Sequence, residues 1–204
     1  MSIFDPEQSL NLAAPPSADD AIFQSAENGW DNACLHYAPN GWLTYALGYK
    51  EAADRLVAEL ERERRRQDVL VYPIVYLYRH YLELAIKGLI RQAQKLLEDP
   101  IRVPAKHTIV QLWSTCSVLL GRVSPNDSLE EQDQIGRLLR EFEAIDPTCT
   151  AFRYPVDTKG NQSLPGVRHI DVPNVRDVIG KIAVILDGAS TQIDHYCDCM
   201  PDLY

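Results

Sequence analysis

The chain has 204 residues, of which 46% are hydrophobic and 24% charged, a composition that suits one folded domain and excludes wholesale disorder. A chain of this length buries roughly 70% of its unfolded surface, so it needs neither a disulfide nor a metal to fold. The net charge of −9 argues against tight, non-specific binding to nucleic acid, because counterion release rewards a basic surface.

Cysteine usage and the first residues predict a cytoplasmic protein with reduced thiols. The five cysteines are scattered, and the opening segment MSIFDPEQSL lacks the basic and apolar regions of a secretory leader. The longest apolar stretch, around Leu70 to Leu77, is far shorter than the ~20 residues that a membrane span requires. We therefore expect no contact with a membrane.

The chain order begins with an arm and a first helix. Residues 1–40 are rich in Pro, Ser, Asp and Asn, which predicts an irregular arm with a short helix near Ala21 to Ala26. A helical domain is predicted over 41–204. Its first helix runs from about Gly41 to Arg66, where apolar residues recur with the helical period and the last turns are highly charged.

The second helix is predicted to be the centre of the fold. It runs from about Asp68 to Glu98 with Pro73 near its start, and from Ile74 to Ile90 it is apolar almost all round. Such a helix is surrounded by others. A third helix is predicted from about Thr108 to Arg122, and the capping box Ser128-x-x-Glu131 opens a fourth.

A long connection precedes the last helix, which is predicted from Asn174, a good N-cap, to Tyr196. The segment from Asp146 to Val172 has no helical period. Within it, Ala151–Pro155 and Val167–Val172 are candidates to pair as a short hairpin. The predicted fold is therefore all-α, a bundle of about five helices with a long irregular or hairpin-containing loop before the last helix.

A polar stripe lies on the helix that is predicted to be most buried. At 100° per residue, its members fall within one arc of helix two. They are Tyr76, Arg79, His80, Glu83 and Lys87. One interpretation is a structural ion network built on the i, i+4 pairs Arg79–Glu83 and Glu83–Lys87. The other is a polar pocket in which Arg79 or His80 meets a ligand or a catalytic partner.

The loop after helix four contains Phe152-Arg153-Tyr154-Pro155. A guanidinium group between two aromatic residues is suited to phosphate or carboxylate recognition, because it binds such groups bidentately and stacks on rings. The alternative is that the aromatic residues pin the loop to the bundle while Arg153 caps backbone carbonyls.

Two further patterns contain histidine. In Arg102-x4-His107, His107 is placed to accept a proton while Arg102 steadies a phosphate, as metal-free RNA cleavage requires, but His107 is equally placed to cap helix three. The segment His195-x-Cys197-x-Cys199 offers only three soft ligands and diverging side chains, so we predict no metal site there.

Three segments together resemble bacterial proteins related to the HEPN superfamily: YLYRHYLELAIKGLI, KHTIVQLW and FRYPVDTKG. The resemblance covers roughly residues 43 to 196. It implies a helical bundle, commonly a homodimer, and in many members a metal-independent ribonuclease of toxin–antitoxin or other phage-defence systems; other members are non-catalytic. The catalytic signature of these proteins is Arg-x4–6-His at the dimer cleft. Arg102-x4-His107 has this spacing, with Val103 and Pro104 after the arginine.

Two functions follow as hypotheses. The first is a HEPN-like RNA-acting protein, ribonuclease or RNA-binding, of a bacterial defence or toxin–antitoxin system. Its catalytic candidates are Arg79, His80, Arg102 and His107, and its substrate-binding candidates are Tyr76, Glu83, Lys87, Arg153 and Tyr154. The second is a non-catalytic bundle that binds a protein partner as a regulatory or antitoxin-like subunit. Neither hypothesis requires a cofactor. The acidic charge favours the second function, whereas His80 and Arg153 favour the first.

Overall fold

The computed structural model describes residues 15–35, 40–105, 108–125 and 129–199. The chain divides into two compact units, residues 1–37 and residues 38–204. Five α-helices make up the second unit: α1 (Gly41–Glu63), α2 (Gln67–Leu96), α3 (Ile109–Val123), α4 (Leu129–Ile145) and α5 (Val172–Cys199). No β-strand occurs within the described ranges. The predicted all-α bundle of about five helices is confirmed.

The first unit has a short 3-10 turn in place of the helix predicted at Ala21 to Ala26. The turn spans Gly29–Asp31, and the side chain of Asn28 caps its start. Asn32 closes the loop from the other side, because its Oδ1 accepts a hydrogen bond from the Ala26 backbone N–H at 2.8 Å. Short polar side chains that bond to nearby backbone favour turns over helices, which is why the predicted helix is wrong.

Helix α2 is the centre of the bundle, as its uniform apolarity predicts. It packs against α1, α3 and α5. Apolar side chains on every side of it are buried: Ile74, Val75, Tyr78, Tyr81, Leu82, Ile86, Leu89 and Ile90. Pro73 lies in the seventh position of α2 and is exposed. Proline at this position lacks the N–H that would bond the Val69 carbonyl, and α2 nevertheless continues through it.

Hydrogen bonds between side chains and backbone fix the end of α2 and the start of α3. Buried Gln94 bonds the backbone of Arg102 through both its amide atoms, with the Arg102 N–H donating to Gln94 Oε1 at 2.9 Å. Glu143 of α4 accepts a hydrogen bond from the backbone N–H of Val110 at 2.9 Å. The first turn of α3 is therefore capped by a carboxylate from α4, which also complements the helix dipole.

Two details of the last connection differ from the prediction. Helix α5 begins two residues earlier than expected, because Asp171 rather than Asn174 acts as the cap: its Oδ1 accepts from the Asn174 N–H at 3.1 Å. The predicted pairing of 151–155 with 167–172 is wrong. A single antiparallel bridge joins Val156 to Gln162 instead. The loop that this bridge closes is built around Asp157, whose carboxylate accepts three hydrogen bonds.

Candidate functional site

The polar stripe on α2 contains a buried ion network. Glu83 Oε1 accepts a hydrogen bond from Lys87 Nζ at 2.7 Å, and Glu83 Oε2 lies 3.4 Å from an Arg79 guanidinium nitrogen. The Arg79 side chain is fully buried and those of Glu83 and Lys87 nearly so. Burying these charges is tolerated because opposite charges meet at successive turns of one helix. The interpretation of this part of the stripe as an internal network is supported by the geometry.

The other two members of the stripe are half-buried and stack with residues from outside α2. The ring of His80 lies edge-on to Tyr49 of α1 at 4.4 Å between centroids, and parallel to Tyr76 at 5.8 Å. The guanidinium carbon of Arg153 lies 5.4 Å from the centre of the Tyr76 ring and 5.5 Å from that of Tyr154. We call these five side chains, Tyr49, His80, Tyr76, Arg153 and Tyr154, the stacked ladder.

The loop after α4 delivers Arg153 to this position. Buried Asp146 accepts hydrogen bonds at its Oδ1 from the backbone N–H groups of Thr150 and Ala151, at 2.9 and 3.1 Å. Arg153 Nε donates to the backbone carbonyl of Cys149 at 2.8 Å. Phe152 is buried beside it. Both interpretations of this segment are therefore compatible with the geometry, since the loop is pinned by Phe152 while Arg153 caps a carbonyl and stacks between two rings.

The outer end of the stacked ladder is open to solvent. Arg153 is exposed, and Tyr154 is 57% exposed. Among the described residues, no carboxylate forms an ion pair with Arg153. The outward edge of its guanidinium group is therefore a positive charge that no described carboxylate pairs with, and the Tyr154 ring beside it is more than half exposed.

Burial controls the ionisation of the groups around the ladder. Desolvation raises the pKa of the Tyr76 hydroxyl above its usual value, while the positive charge of Arg153 opposes the rise. Desolvation likewise raises the pKa of the Cys149 thiol, against the effect of Arg79. Both groups therefore stay protonated at neutral pH, and neither is a thiolate or phenolate nucleophile in the folded protein.

The structure does not bring all the predicted catalytic residues together. The exposed Arg102 is held by Gln94, which lies 15 residues along α2 from Arg79, or about 22 Å at the rise of an α-helix. His107 lies outside the described residues. Arg79 and His80 are adjacent in sequence, but Arg79 points into the ion network and His80 into the stacked ladder.

The cysteines near the C-terminus do not form a metal-binding cluster in the part of the chain that the structure describes. Cys199 Sγ lies 3.8 Å from His195 Nε2. No group of three His, Cys, Asp or Glu side chains placed to hold a metal ion is found among the described residues. No helix in the same residues combines the length and apolarity required to cross a membrane.

Sequence reasoning missed two members of this site. The ring contact of Tyr49 with His80 depends on how α1 packs against α2, which the helical period of α1 does not predict. The absence of a helical period after α4 does not predict the role of Asp146, although an aspartate directly after a helix often bonds the backbone of the next turn. Comparison with protein-family models, with curated proteins and with solved structures finds no match for the chain.

Proposed function

We propose that the protein acts on single-stranded RNA, which it binds at the open end of the stacked ladder. The observation that carries this proposal is the exposed guanidinium group of Arg153, held between the rings of Tyr76 and Tyr154 without a carboxylate partner among the described residues. The resemblance to HEPN proteins supports the same function and adds its setting, a bacterial defence or toxin–antitoxin system in the cytoplasm.

The geometry suits RNA because it offers both interactions that an unpaired nucleotide makes. A guanidinium group binds a phosphate bidentately, and its stacking on Tyr76 fixes the plane in which it does so. The exposed ring of Tyr154 is a platform for a base, and stacking of this kind is tolerant of sequence.

The acidic net charge sets the expected mode of binding. With a total of −9, the protein has no general attraction for a polyanion, so affinity must come from the local contacts of Arg153 and the ladder. Neutralising one phosphate gives a slope of about −0.7 in a plot of log affinity against log salt concentration. We expect this weak salt dependence and not the steep dependence of a basic groove.

Binding is better supported than cleavage. Metal-free RNA cleavage requires a proton acceptor and a cation on the same phosphate. In the ladder, His80 contacts the rings of Tyr49 and Tyr76, while Arg153 contacts the rings of Tyr76 and Tyr154. These contacts do not place the imidazole and the guanidinium group on one phosphate. A ribonuclease site therefore needs further groups, for which Arg102 and His107 remain the candidates, at a homodimer cleft as the resemblance implies.

Fluorescence anisotropy with a labelled single-stranded RNA tests the binding proposal. We expect Arg153→Gln and Tyr154→Ala each to weaken binding by about tenfold, because each removes a charged contact or a stacked base. Tyr154→Phe keeps the ring and should bind as the wild type does. Arg168→Gln is the matched control, since Arg168 is an exposed arginine of the same connection outside the ladder. Equal losses in Arg153→Gln and Arg168→Gln would contradict the proposal.

Cleavage is tested separately by incubating the same RNA with the protein in EDTA. A metal-independent ribonuclease cleaves under these conditions, and His80→Gln and His107→Gln then identify which histidine acts. Binding without cleavage would assign the protein to the non-catalytic branch. Size-exclusion chromatography with light scattering measures whether the protein is the homodimer that the resemblance implies.

A second function is favoured by exposed apolar side chains at the start of α1. Leu43, Tyr45 and Leu47 are between 38% and 57% exposed. An acidic surface with such side chains suits a bundle that binds a protein partner as a regulatory or antitoxin-like subunit. If wild-type protein binds no RNA, co-expression with the products of adjacent genes tests this alternative, and Leu47→Lys should weaken a complex formed through this surface.

A further inference from the structure

A cleft beside Phe152 is lined by none of the five residues of the stacked ladder. It lies between α4 and α5, and side chains of α2, among them Val75 and Leu82, form its floor. Its volume is about 270 Å³, and its walls include Phe142 of α4 and Val178 of α5. Phe152 closes one side, while its neighbour Arg153 belongs to the ladder.

The walls and the volume indicate an apolar ligand of defined size. Twelve of the sixteen lining side chains are aliphatic or phenylalanine, so the space favours a molecule that leaves water for an apolar surface. A dry cavity of about 150 Å³ accommodates benzene. The cleft is nearly twice that volume, which corresponds to a bicyclic aromatic ring.

The rim of the cleft adds a charge preference. Its ionisable groups are Glu141 of α4, His169 of the connection and Asp171 at the start of α5. Glu141 lies 3.5 Å from Arg137 in an exposed ion pair. Asp171 uses only its Oδ1, to cap α5, and its other oxygen bonds no described residue. Because Arg137 offsets the charge of Glu141, the preference of the rim for a cation rests on Asp171 and its second carboxylate oxygen.

We propose that this cleft binds a small aromatic amine, with its ring system between Phe142 and Phe152 and its ammonium group at the rim beside Asp171. The proposal does not depend on RNA binding, since none of the five residues of the stacked ladder lines the cleft. The occupant is a bicyclic ring that carries a short cationic chain.

Three indole compounds of nearly equal shape test ring and charge separately: tryptamine is a cation, tryptophol is neutral and indole-3-propionate is an anion. Protein-detected NMR titration at millimolar concentrations measures each dissociation constant. We expect tryptamine to bind about two- to five-fold more tightly than tryptophol, as for an exposed ion pair, and indole-3-propionate to bind most weakly. Binding of none of the three, or tightest binding of the anion, would overturn the proposal.

Two variants locate the site. Val178→Trp places an indole ring into the cleft and should abolish tryptamine binding; Val184→Trp is the same substitution on an exposed position of α5 outside the cleft and should not. Asp171→Asn keeps a capping oxygen but removes the charge, so tryptamine should lose its advantage over tryptophol. The assignment would be overturned if folded Val178→Trp bound tryptamine as tightly as the wild type does. It would also be overturned if tryptamine kept its full advantage over tryptophol in Asp171→Asn.

Discussion

Glu83 sits between two cations on the most buried helix of the protein. Arg79, Glu83 and Lys87 follow one another at i, i+4 spacing, so α2 itself holds them in register. A buried ion pair adds little net stability relative to apolar residues of the same size, because desolvation offsets the attraction. Its importance lies in what happens when one partner is lost, since the remaining charge cannot return to water without unfolding the helix from the core.

Replacing Glu83 by alanine should therefore be severely destabilising. We expect Glu83→Ala to reduce the free energy of unfolding by about 3–5 kcal/mol, the usual effect of breaking one side of a buried pair. The matched control is Glu51→Ala, which removes the partner of Arg55 from an exposed i, i+4 pair on α1 and should change the free energy by less than about 1 kcal/mol. Urea unfolding followed by circular dichroism measures both. Similar values for the two variants would show that the network is solvated.

Two buried tyrosines of α2 should respond oppositely to the loss of their hydroxyl groups. Tyr78 donates to Asp54 at 2.7 Å, whereas the Tyr81 hydroxyl is buried and bonds no described residue. Burial raises the pKa of both, so both are neutral donors. Tyr78→Phe should cost about 1.5 kcal/mol. Tyr81→Phe should be neutral or stabilise by up to about 1 kcal/mol, because it removes an unsatisfied polar group. Thermal unfolding measures the stability of both variants. A loss of stability in Tyr81→Phe as large as that in Tyr78→Phe would contradict the prediction.

The residues of the site differ in how far the sequence predicts them. The pairs Arg79–Glu83 and Glu83–Lys87 follow from helical spacing alone, because both partners lie on one element. The contact between Arg153 and Tyr76 joins a loop to a helix 77 positions away in the chain, and no local rule relates them. The sequence identifies Arg153 and Tyr76 as two separate candidate site residues but does not predict that they are in contact.

At the scale of elements, the boundary errors have local causes. Asn174 is a good N-cap by type, but Asp171 is equally good and lies one turn earlier, with Pro173 tolerated in the first turn that follows. The predicted hairpin failed because Asp157 bonds its own backbone neighbours. That turn pairs Val156 with Gln162 and leaves the flanking segments unpaired.

Helices α3 and α4 meet at a glycine. The Trp113 indole N–H donates to the backbone carbonyl of Gln132 at 3.2 Å, and a Cβ at Gly136 would lie 3.3 Å from the same nitrogen. The glycine therefore makes room for the tryptophan that joins the two helices. Gly48 in α1 and Gly188 in α5 lie at exposed helical positions and make room for no neighbour. A Cβ added at either position would have nothing within 4 Å.

Replacement of glycine by alanine should raise the free energy of unfolding at the exposed positions and lower it at Gly136. Gly48→Ala and Gly188→Ala should each raise the free energy of unfolding by about 0.5–1 kcal/mol, because alanine loses less backbone entropy in a helix. Gly136→Ala makes the same gain but crowds Trp113, and overpacking commonly costs about 1–3 kcal/mol, so the net change should be a loss of up to about 2 kcal/mol. Chemical denaturation measures all three. Stabilisation by Gly136→Ala equal to that by Gly188→Ala would show that Trp113 adjusts freely.

At the scale of the whole molecule, the cysteines differ in how deeply their thiols are buried. Cys116 is buried in the core on α3, and burial raises the pKa of its thiol to about 12. Cys149 is buried in the connection before α5, and its backbone carbonyl accepts the hydrogen bond from Arg153. Cys34 and Cys199 are exposed. Because only an accessible thiolate reacts with an alkylating agent, each thiol reports the opening of its own surroundings.

Pulsed alkylation should therefore separate loop opening from global unfolding. At pH 8 without denaturant, we expect iodoacetamide to modify Cys34 and Cys199 and to spare Cys116 and Cys149. As urea increases, Cys149 should become reactive first, because a connection held by a few hydrogen bonds opens at lower free energy than a core helix. Cys116 should react only when circular dichroism reports loss of the helices. Peptide mass spectrometry measures each site, and modification of Cys116 before Cys149 would mean that α3 opens while the loop and the stacked ladder that it carries stay closed.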